Sequence, residues 1–323
     1  MTVEAGSYRG VRCLVLGAGG FIGRWVARGL VLAGADLVLA VRDPGAAAAV
    51  CARWRIRGRV IRTDLADPGR IVALLEEVRP AIVFNLAGYG VDRDEQDPRQ
   101  AEALNATLPA VLAESLARHQ DPTWGGLQLV HAGSALEYGT ASGDLDERSV
   151  PNPTTLYGRT KLAGTRAVAD QAASGRLRAV TARLFTVYGP GEHPGRLLPT
   201  LIEAATGTAP IPLTAGTQRR DFTYVEEVAA GLIALGRLPG CEEPVLNLAT
   251  GCLTAVREFV ETAANVLGIP PERLGFGARP TRPEEMEHEP VAVGRLERLL
   301  GWTPRIPPAE GVRRTLEFLR GGG

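Results

Sequence analysis

A doubly wound α/β sheet of parallel strands is the fold this sequence predicts, and three observations predict it. An apolar run, Val11-Arg12-Cys13-Leu14-Val15-Leu16, leads into a glycine cluster, Gly17-Ala18-Gly19-Gly20-Phe21-Ile22-Gly23, and an apolar-periodic segment (Ile22, Val26, Leu30) follows. That succession reads as a buried strand, a tight turn and a helix. Further Val- and Leu-rich runs then alternate with helical segments as far as Phe185, the pattern of strands joined by crossover helices. Beyond Gly191 the alternation weakens, and Pro and Gly become frequent through Gly216 and again from Pro270 to Pro308, which places a smaller second α/β unit there.

The chain's composition fits this fold. Its 323 residues suffice for one large or two moderate cores, and with 45% hydrophobic but only 5% aromatic residues those cores are built of Ala, Val and Leu. Thirty-six basic and 36 acidic residues cancel, which argues against nucleic acid as a partner. No apolar run is long enough to cross a bilayer, and Met1 to Gly10 lacks a basic-then-apolar export pattern, so a cytoplasmic location is expected. The cysteines at 13, 51, 241 and 252 form no C-x-x-C pair; they read as reduced and structural, and no metal is expected. Of the 36 basic residues only Lys161 is lysine. A surface ammonium is easily replaced by arginine, whereas a compact ammonium with a specific task is not.

The elements follow in order. In the first turn Gly17 can adopt positive φ, Gly20 lets a phosphate approach the backbone, and Gly23 lets the helix pack on the strand; the helix N-terminus suits a dinucleotide pyrophosphate. The spacing is G-x-x-G-x-x-G, and a glycine motif alone also serves plain turns. A second strand, Ala35–Val41, ends in Arg42-Asp43-Pro44. Arg42 at that tip favours a 2′-phosphate and hence NADP(H), whereas a one-residue change in where the strand ends brings Asp43 there and favours NAD(H). Arg53–Arg62 is read as a short strand with one wet face, followed by Asp64-Leu65 within reach of an adenine edge. A helix closes over Leu74–Pro80. Ala81–Gly88 is a fourth strand ending in small residues, 91–98 a loop or helix start, and Ala101–Arg118 a helix carrying Asn105. Leu127–His131 is a fifth strand ending in Ala132-Gly133-Ser134, and 139–153 a polar loop. Thr155 caps a helix holding Tyr157 and Lys161, and Ala179–Phe185 is a further strand. On this reading residues 1–182 form a dinucleotide-binding Rossmann domain with a return around 222–250, and 183–323 are mainly substrate-binding.

Tyr157 and Lys161 lie four apart on one helix and so share a face. An ammonium beside a phenol, joined by an oxidised nicotinamide, lowers the phenol's pKa from ~10 toward neutrality and makes Tyr157 a proton donor and acceptor for a carbonyl/alcohol pair. Ser134, at a strand's carboxyl end, can hold the same oxygen. A bare Y-x-x-x-K is common by chance; the glycine turn, the strand-end serine and the solitary lysine together make this one functional.

The chain resembles the extended short-chain dehydrogenase/reductase family, in its nucleotide-sugar epimerase, dehydratase and reductase branch. The resemblance rests on Gly17–Gly23, Asp64-Leu65, Asn85-Leu86-Ala87-Gly88, Ser134 four before Tyr138-Gly139, Tyr157/Lys161, Arg183–Pro190, Arg219–Val225 and Leu300-Gly301-Trp302-Thr303-Pro304, in family order. It implies Ser134, Tyr157 and Lys161 as catalytic residues. It also implies a cofactor site from Gly17, Gly20, Phe21, Ile22, Gly23, Arg42, Asp64, Leu65, Leu86, Ala87, Gly88 and Asn105 with Tyr157 and Lys161. Ser134, Thr186, His193, Arg220 and Arg282 would face a nucleotide-diphosphate sugar, arginine matching phosphate bidentately. His193, a lone histidine in a Pro/Gly loop, is otherwise a surface residue. A homodimer is implied through helices 101–118 and 155–173, with Gly158 and Gly164 either allowing close approach between copies or packing on the sheet.

Departures narrow the chemistry. Ala135 and Leu136 stand where sugar 4,6-dehydratases carry an Asp-Glu pair, so dehydration is not expected, and the cysteine of the fucose-nucleotide epimerase-reductase is missing. Thr186 replaces a frequent Asn. Two enzyme readings remain: NADPH-dependent reduction of a nucleotide-linked 4-keto-6-deoxysugar, or NAD-dependent 4-epimerisation through transient oxidation. Arg42 favours the reductase. Arg282-Pro283-Glu284-Glu285-Met286 and the run at 212–217 also resemble deoxysugar ketoreductases. A third reading, a catalytically idle nucleotide-binding member, is opposed by the joint presence of Ser134, Tyr157 and Lys161.

Overall fold

The computed structural model describes residues 3–91, 95–118, 121, 123–141, 143–280 and 288–321. The first half alternates strand and helix: β1 (Arg12–Leu16), α1 (Phe21–Leu32), β2 (Asp36–Val41), α2 (Pro44–Trp54), β3 (Arg59–Arg62), α3 (Pro68–Val78), β4 (Ile82–Asn85), α4 (Pro98–Glu102), α5 (Leu108–Arg118), β5 (Leu129–Ser134), α6 (Leu156–Ala173) and β6 (Ala179–Leu184). Then come β7 (Thr186–Tyr188), α7 (Leu197–Ala204), β8 (Ile211–Leu213), β9 (Arg219–Tyr224), α8 (Val225–Gly236), β10 (Val245–Leu248), β11 (Leu253–Ala255), α9 (Val256–Leu267), β12 (Leu274–Phe276), α10 (Gly294–Leu300) and α11 (Pro308–Arg320).

Seven strands form one sheet in the order β3-β2-β1-β4-β5-β6-β10, every neighbouring pair parallel. The order reverses between β1 and β4, so the carboxyl ends of these strands open a crevice. Both faces are covered, which is why the strands read as continuous apolar runs. Val26 and Leu30 of α1 and Leu232 and Leu235 of α8 pack on one face; Leu74 of α3, Leu112 of α5 and Val168 of α6 pack on the other. A three-stranded sheet, β11-β9-β7, and the pair β12-β8 lie outside it. Their core gathers Tyr188, Phe222, Tyr224 and Phe259, with Phe222 and Phe259 stacked 4.1 Å apart.

One expectation is corrected here. The strand expected over Arg53–Arg62 is only Arg59–Arg62, because helix α2 occupies 44–54. Asp43 caps that helix by accepting from Gly45 N and Ala46 N, Pro44 fixes its first φ, and Arg55 ends it in the left-handed region at φ 53°. The basic residues at 53–57 are therefore a helix end, not a wet strand face. For the small residues of α6, the close approach lies within the chain. A β-carbon on Gly158 would lie 2.3 Å from the Leu136 carbonyl, and one on Gly164 2.1 Å from the Asn105 carbonyl and 2.9 Å from the Pro109 ring. Both glycines are needed for packing within the chain, and neither argues for a dimer.

Gly164 approaches so closely because α5 is entered through a π-helical turn, Ala103–Thr107. Pro109 has no N–H to offer the Asn105 carbonyl four residues back, so the α-helical ladder fails there. A Gly164→Ala substitution is expected to cost about 1–3 kcal/mol. Urea unfolding would check this, and an unchanged midpoint would contradict the close packing.

Candidate active site

The crevice is lined first by the turn after β1. Gly17 sits at φ +77°, and a β-carbon on it would lie 2.8 Å from the backbone of Leu86 and Ala87. A β-carbon on Gly23 would lie 2.0 Å from the Gly17 carbonyl, so strand, turn and helix meet only because both residues are glycine. Gly19 faces open space, and Gly20 N donates to the Gly17 carbonyl at 3.0 Å. Gly20 is the N-cap of α1 and brings no side chain to that helix start. The N–H groups of Phe21, Ile22 and Gly23 thus lie at the positive end of the helix beside a bare glycine backbone, a fit for a dinucleotide pyrophosphate. Arg24 braces the turn from behind through the Gly20 carbonyl at 3.0 Å and that of Gly19 at 3.2 Å.

On the rim, β2 ends at Val41, which leaves Arg42 exposed at its tip. The Asp43 carboxylate is already engaged at the N-terminus of α2. Asp64 is exposed and accepts from Ala66 N at 3.0 Å, and Leu65 beside it is buried. Ala87 is buried, Leu86 half-buried and Gly88 exposed in the turn after β4. Asn105 is fully buried, and its amide is spent on that turn: Oδ1 accepts from Tyr89 N at 3.0 Å, while Nδ2 donates to Tyr89 O at 2.7 Å and to Thr160 Oγ1 at 3.0 Å. Glu95 holds the next two N–H groups, those of Gly90 and Val91, at 2.7 and 3.1 Å. A β-carbon on Gly90 would lie 3.3 Å from the Tyr157 ring, so this turn forms one wall for the phenol.

The three residues singled out for chemistry come together. Thr155 caps α6 by accepting from Gly158 N, which starts the helix so that Tyr157 and Lys161 face the end of β5. Ser134, the last residue of β5, is buried and hydrogen-bonds to the Tyr157 phenol. Lys161 is buried, with Nζ donating to the Ala132 carbonyl at 2.5 Å, two residues from Ser134. Burial lowers the Lys161 pKa from 10.5 to about 8, and the Glu137 carboxylate works against that fall. His131, also fully buried, is held well below its ordinary value by burial and then by Lys161, so it is neutral.

The phenol departs from the sequence-based expectation. In the protein alone its pKa is pushed up to about 12, first by burial and then by Glu137 and Glu95, against the Ser134 hydrogen bond and the Arg196 guanidinium. The ammonium of Lys161 is directed at a backbone carbonyl and does not by itself bring the phenol toward neutrality.

Beyond β6, Thr186 and Arg220 are half-buried on the neighbouring strands β7 and β9. His193 is half-buried in the loop before α7. Arg282 lies outside the described residues. Four site residues escaped the sequence reading. Arg196 acts on the phenol from the same loop as His193. His288 is buried with its ring edge-on to Phe185 at 5.3 Å, and its Nδ1 accepts from Asp221 N at 3.2 Å. Glu137 and Arg183 form a buried pair beneath Ser134, Nε to Oε2 at 2.9 Å. A carboxyl two residues before a glycine turn gives little warning; the glycine at 133, which leaves room for Glu137, is the available signal.

Comparison with known proteins agrees with this geometry. The model of the NAD dependent epimerase/dehydratase family matches residues 13–249. A dTDP-6-deoxy-L-talose 4-dehydrogenase (NAD(P)(+)) of Kitasatospora kifunensis is 32% identical over 94% of this chain and 93% of its own. A UDP-glucose 4-epimerase of Mycolicibacterium smegmatis is 28% identical over 96% and 99%. The solved structure of MoeE5 in complex with UDP-glucuronic acid and NAD is 30% identical, covers 97% of this chain and all of its own, and superposes with a TM-score of 0.80. With the glycine turn, the Ser134–Tyr157–Lys161 cluster and the seven-stranded sheet in place, the chain belongs to the NAD-dependent epimerase/dehydratase family of extended short-chain dehydrogenases/reductases, enzymes of nucleotide-sugar chemistry.

Proposed function

We propose that this enzyme is an NADPH-dependent reductase acting on the 4-keto group of a nucleotide-linked 6-deoxyhexose, with Ser134, Tyr157 and Lys161 as its catalytic residues. The observation that carries the choice of cofactor is the division of labour after β2. Asp43, the residue suited to a ribose diol, is occupied as the cap of α2, while Arg42 is exposed and makes no hydrogen bond or ion pair with any described residue. A guanidinium so placed suits a 2′-phosphate.

When bound, the nicotinamide supplies the hydride that reduces C4. The chain supplies the proton. The Tyr157 hydroxyl, protonated at neutral pH in the protein alone, gives it to the C4 oxygen. Ser134 donates a hydrogen bond to the same oxygen, and Lys161 holds the cofactor's ribose side of the cleft. The N–H groups of Phe21, Ile22 and Gly23 would hold the pyrophosphate, Leu65 and Asp64 would border the adenine, and Leu86, Ala87 and Gly88 would back the dinucleotide. Arg220, with Thr186 and His193, faces the sugar nucleotide.

A second reading, an NAD-dependent 4-epimerase, draws support from the UDP-glucose 4-epimerase that aligns over nearly the whole chain. The two separate on isolation: an epimerase retains NAD and turns over without added cofactor, whereas the reductase consumes added NADPH stoichiometrically.

Two substitutions test the reading. Tyr157→Phe is expected to lower kcat by about 10²–10⁴-fold, the usual size of a lost general acid, with NADPH Kd unchanged in fluorescence titration; retained turnover would remove Tyr157 from the chemistry. Arg42→Ala is expected to weaken NADPH about tenfold or more, as for loss of a charge-assisted hydrogen bond, and to leave NADH binding unchanged. Equal loss for both cofactors would refute the 2′-phosphate contact.

A further inference from the structure

The buried charges beneath the strand end are not explained by packing alone. Glu137 closes the short 3-10 turn Ala135–Glu137 after β5 and has no exposed surface. Its carboxylate is a hub. Oε1 accepts from Ser134 N at 2.8 Å and from Thr165 Oγ1 at 2.9 Å, and Oε2 accepts from Arg183 Nε at 2.9 Å. Thr165 is one helical turn beyond Lys161 on α6, so the carboxylate is tied to the same face of α6 that carries the ammonium. The room for it is made by Gly133, where a β-carbon would lie 2.8 Å from Glu137 Oε1. Arg183 is equally buried; its guanidinium lies over the Tyr138 ring at 4.3 Å, and the Tyr138 hydroxyl donates to Asn247 Oδ1 at 2.7 Å.

A buried ion pair of this kind is weak as a source of stability, because desolvation offsets the attraction. Its location gives it another use. We propose that Glu137, fixed by Arg183, is a positioning residue of the active site: it locks the backbone of Ser134 and supplies the anion beside the face of α6 that carries the buried Lys161. The inference rests on the functional reading of Ser134 and Lys161 given above. Glu137 has no path to the substrate, since its oxygens are engaged below the strand end.

The groups facing Lys161 make the argument specific. His131 on β5 is neutral, and the Ala132 carbonyl carries no charge. Arg183 on β6 is a cation and already paired. Tyr157 on α6 is protonated, Glu95 precedes α4, and Arg196 lies across the cleft, each acting on the phenol. Glu137 is the carboxylate that raises the Lys161 pKa while burial lowers it.

Because the chain has one lysine, the test reads Lys161 directly. Protein labelled with [ε-13C]lysine gives a single lysine resonance whose pH titration follows this amine alone. In the wild type the midpoint is expected at about 8 rather than the ordinary 10.5. In Glu137→Gln, which keeps the shape and one acceptor oxygen but removes the charge, it is expected to fall by about 1 pH unit. That substitution strands Arg183, so the double variant Glu137→Gln/Arg183→Met is measured as well; it removes the anion without leaving a buried cation. A lower midpoint in the folded double variant supports the inference, and a midpoint there equal to wild type overturns it, as does a wild-type value near 10.5. A residue that only held the fold would not move this titration. The measurement needs neither substrate nor cofactor, so it fails or succeeds separately from the Tyr157→Phe test of the function.

Discussion

The Gly17 carbonyl occupies almost the place a β-carbon on Gly23 would take, 2.0 Å away. No other pair of side chains at these positions lets β1, its turn and α1 meet so closely. From that contact follows the direction of α1, and with it the exposure of its first N–H groups at the carboxyl end of the sheet. The same turn presses Gly17 against Leu86 and Ala87, which ties the β1 turn to the β4 turn across the reversal of strand order. The β4 turn is held in its place by Asn105 and in turn backs the ring of Tyr157 through Gly90. Cofactor cradle and phenol are thus set by one chain of close backbone approaches, not by two separate devices.

Charge is arranged around this frame with the same economy. Lys161, Glu137 and Arg183 are all withdrawn from water, and each has a fixed partner: a strand-end carbonyl for the ammonium, a backbone N–H and a threonine for the carboxylate, and for the guanidinium that carboxylate and the Tyr138 ring, with Arg183 Nη1 left without a hydrogen bond among the described residues. Isolated, any of them would favour its neutral form or unfold the site. Together they let a single ammonium persist next to a phenol that stays protonated. The cost is borne by a network whose members come from β5, the turn after it, α6 and β6.

Much of this was legible in the sequence, for a physical reason. The strands are buried on both faces, so they stand out as apolar runs, and the glycine turn, the Thr155 cap and the Tyr157/Lys161 spacing are local signals. The strand read over Arg53–Arg62 failed because alternating arginines look like a strand edge, while the true determinants of α2, the Asp43 cap and Pro44, lie ten residues earlier. Asn105 was legible as part of a helix but not as the clamp of the β4 turn, since that depends on a π-helical turn set by Pro109. Glu137 and Arg183 were invisible as a pair because they are 46 residues apart and meet only once β5 and β6 are in register, Gly133 opposite Arg183. The small residues on α6 left a choice that the sequence could not make: a glycine stripe states that something comes close, not whether it is another copy or the same chain.

The protonation of Tyr157 bears on the direction of the chemistry. A reductase needs a phenol ready to give a proton, and burial with two nearby carboxylates provides one without any tuning by cofactor. An epimerase begins instead by removing a proton from a hydroxyl, which requires the phenolate. With the pKa at about 12 in the protein alone, Ser134 and Arg196 do not suffice to generate it at neutral pH, and the Lys161 ammonium gives one of its three N–H groups to the Ala132 carbonyl. Further positive charge in the cleft would be needed before oxidation could start. Both reactions thus draw on one phenol: reduction of a ketone uses it in the protonated form found here, while the proton removal that opens an epimerase cycle depends on the positive charge an oxidised nicotinamide would bring.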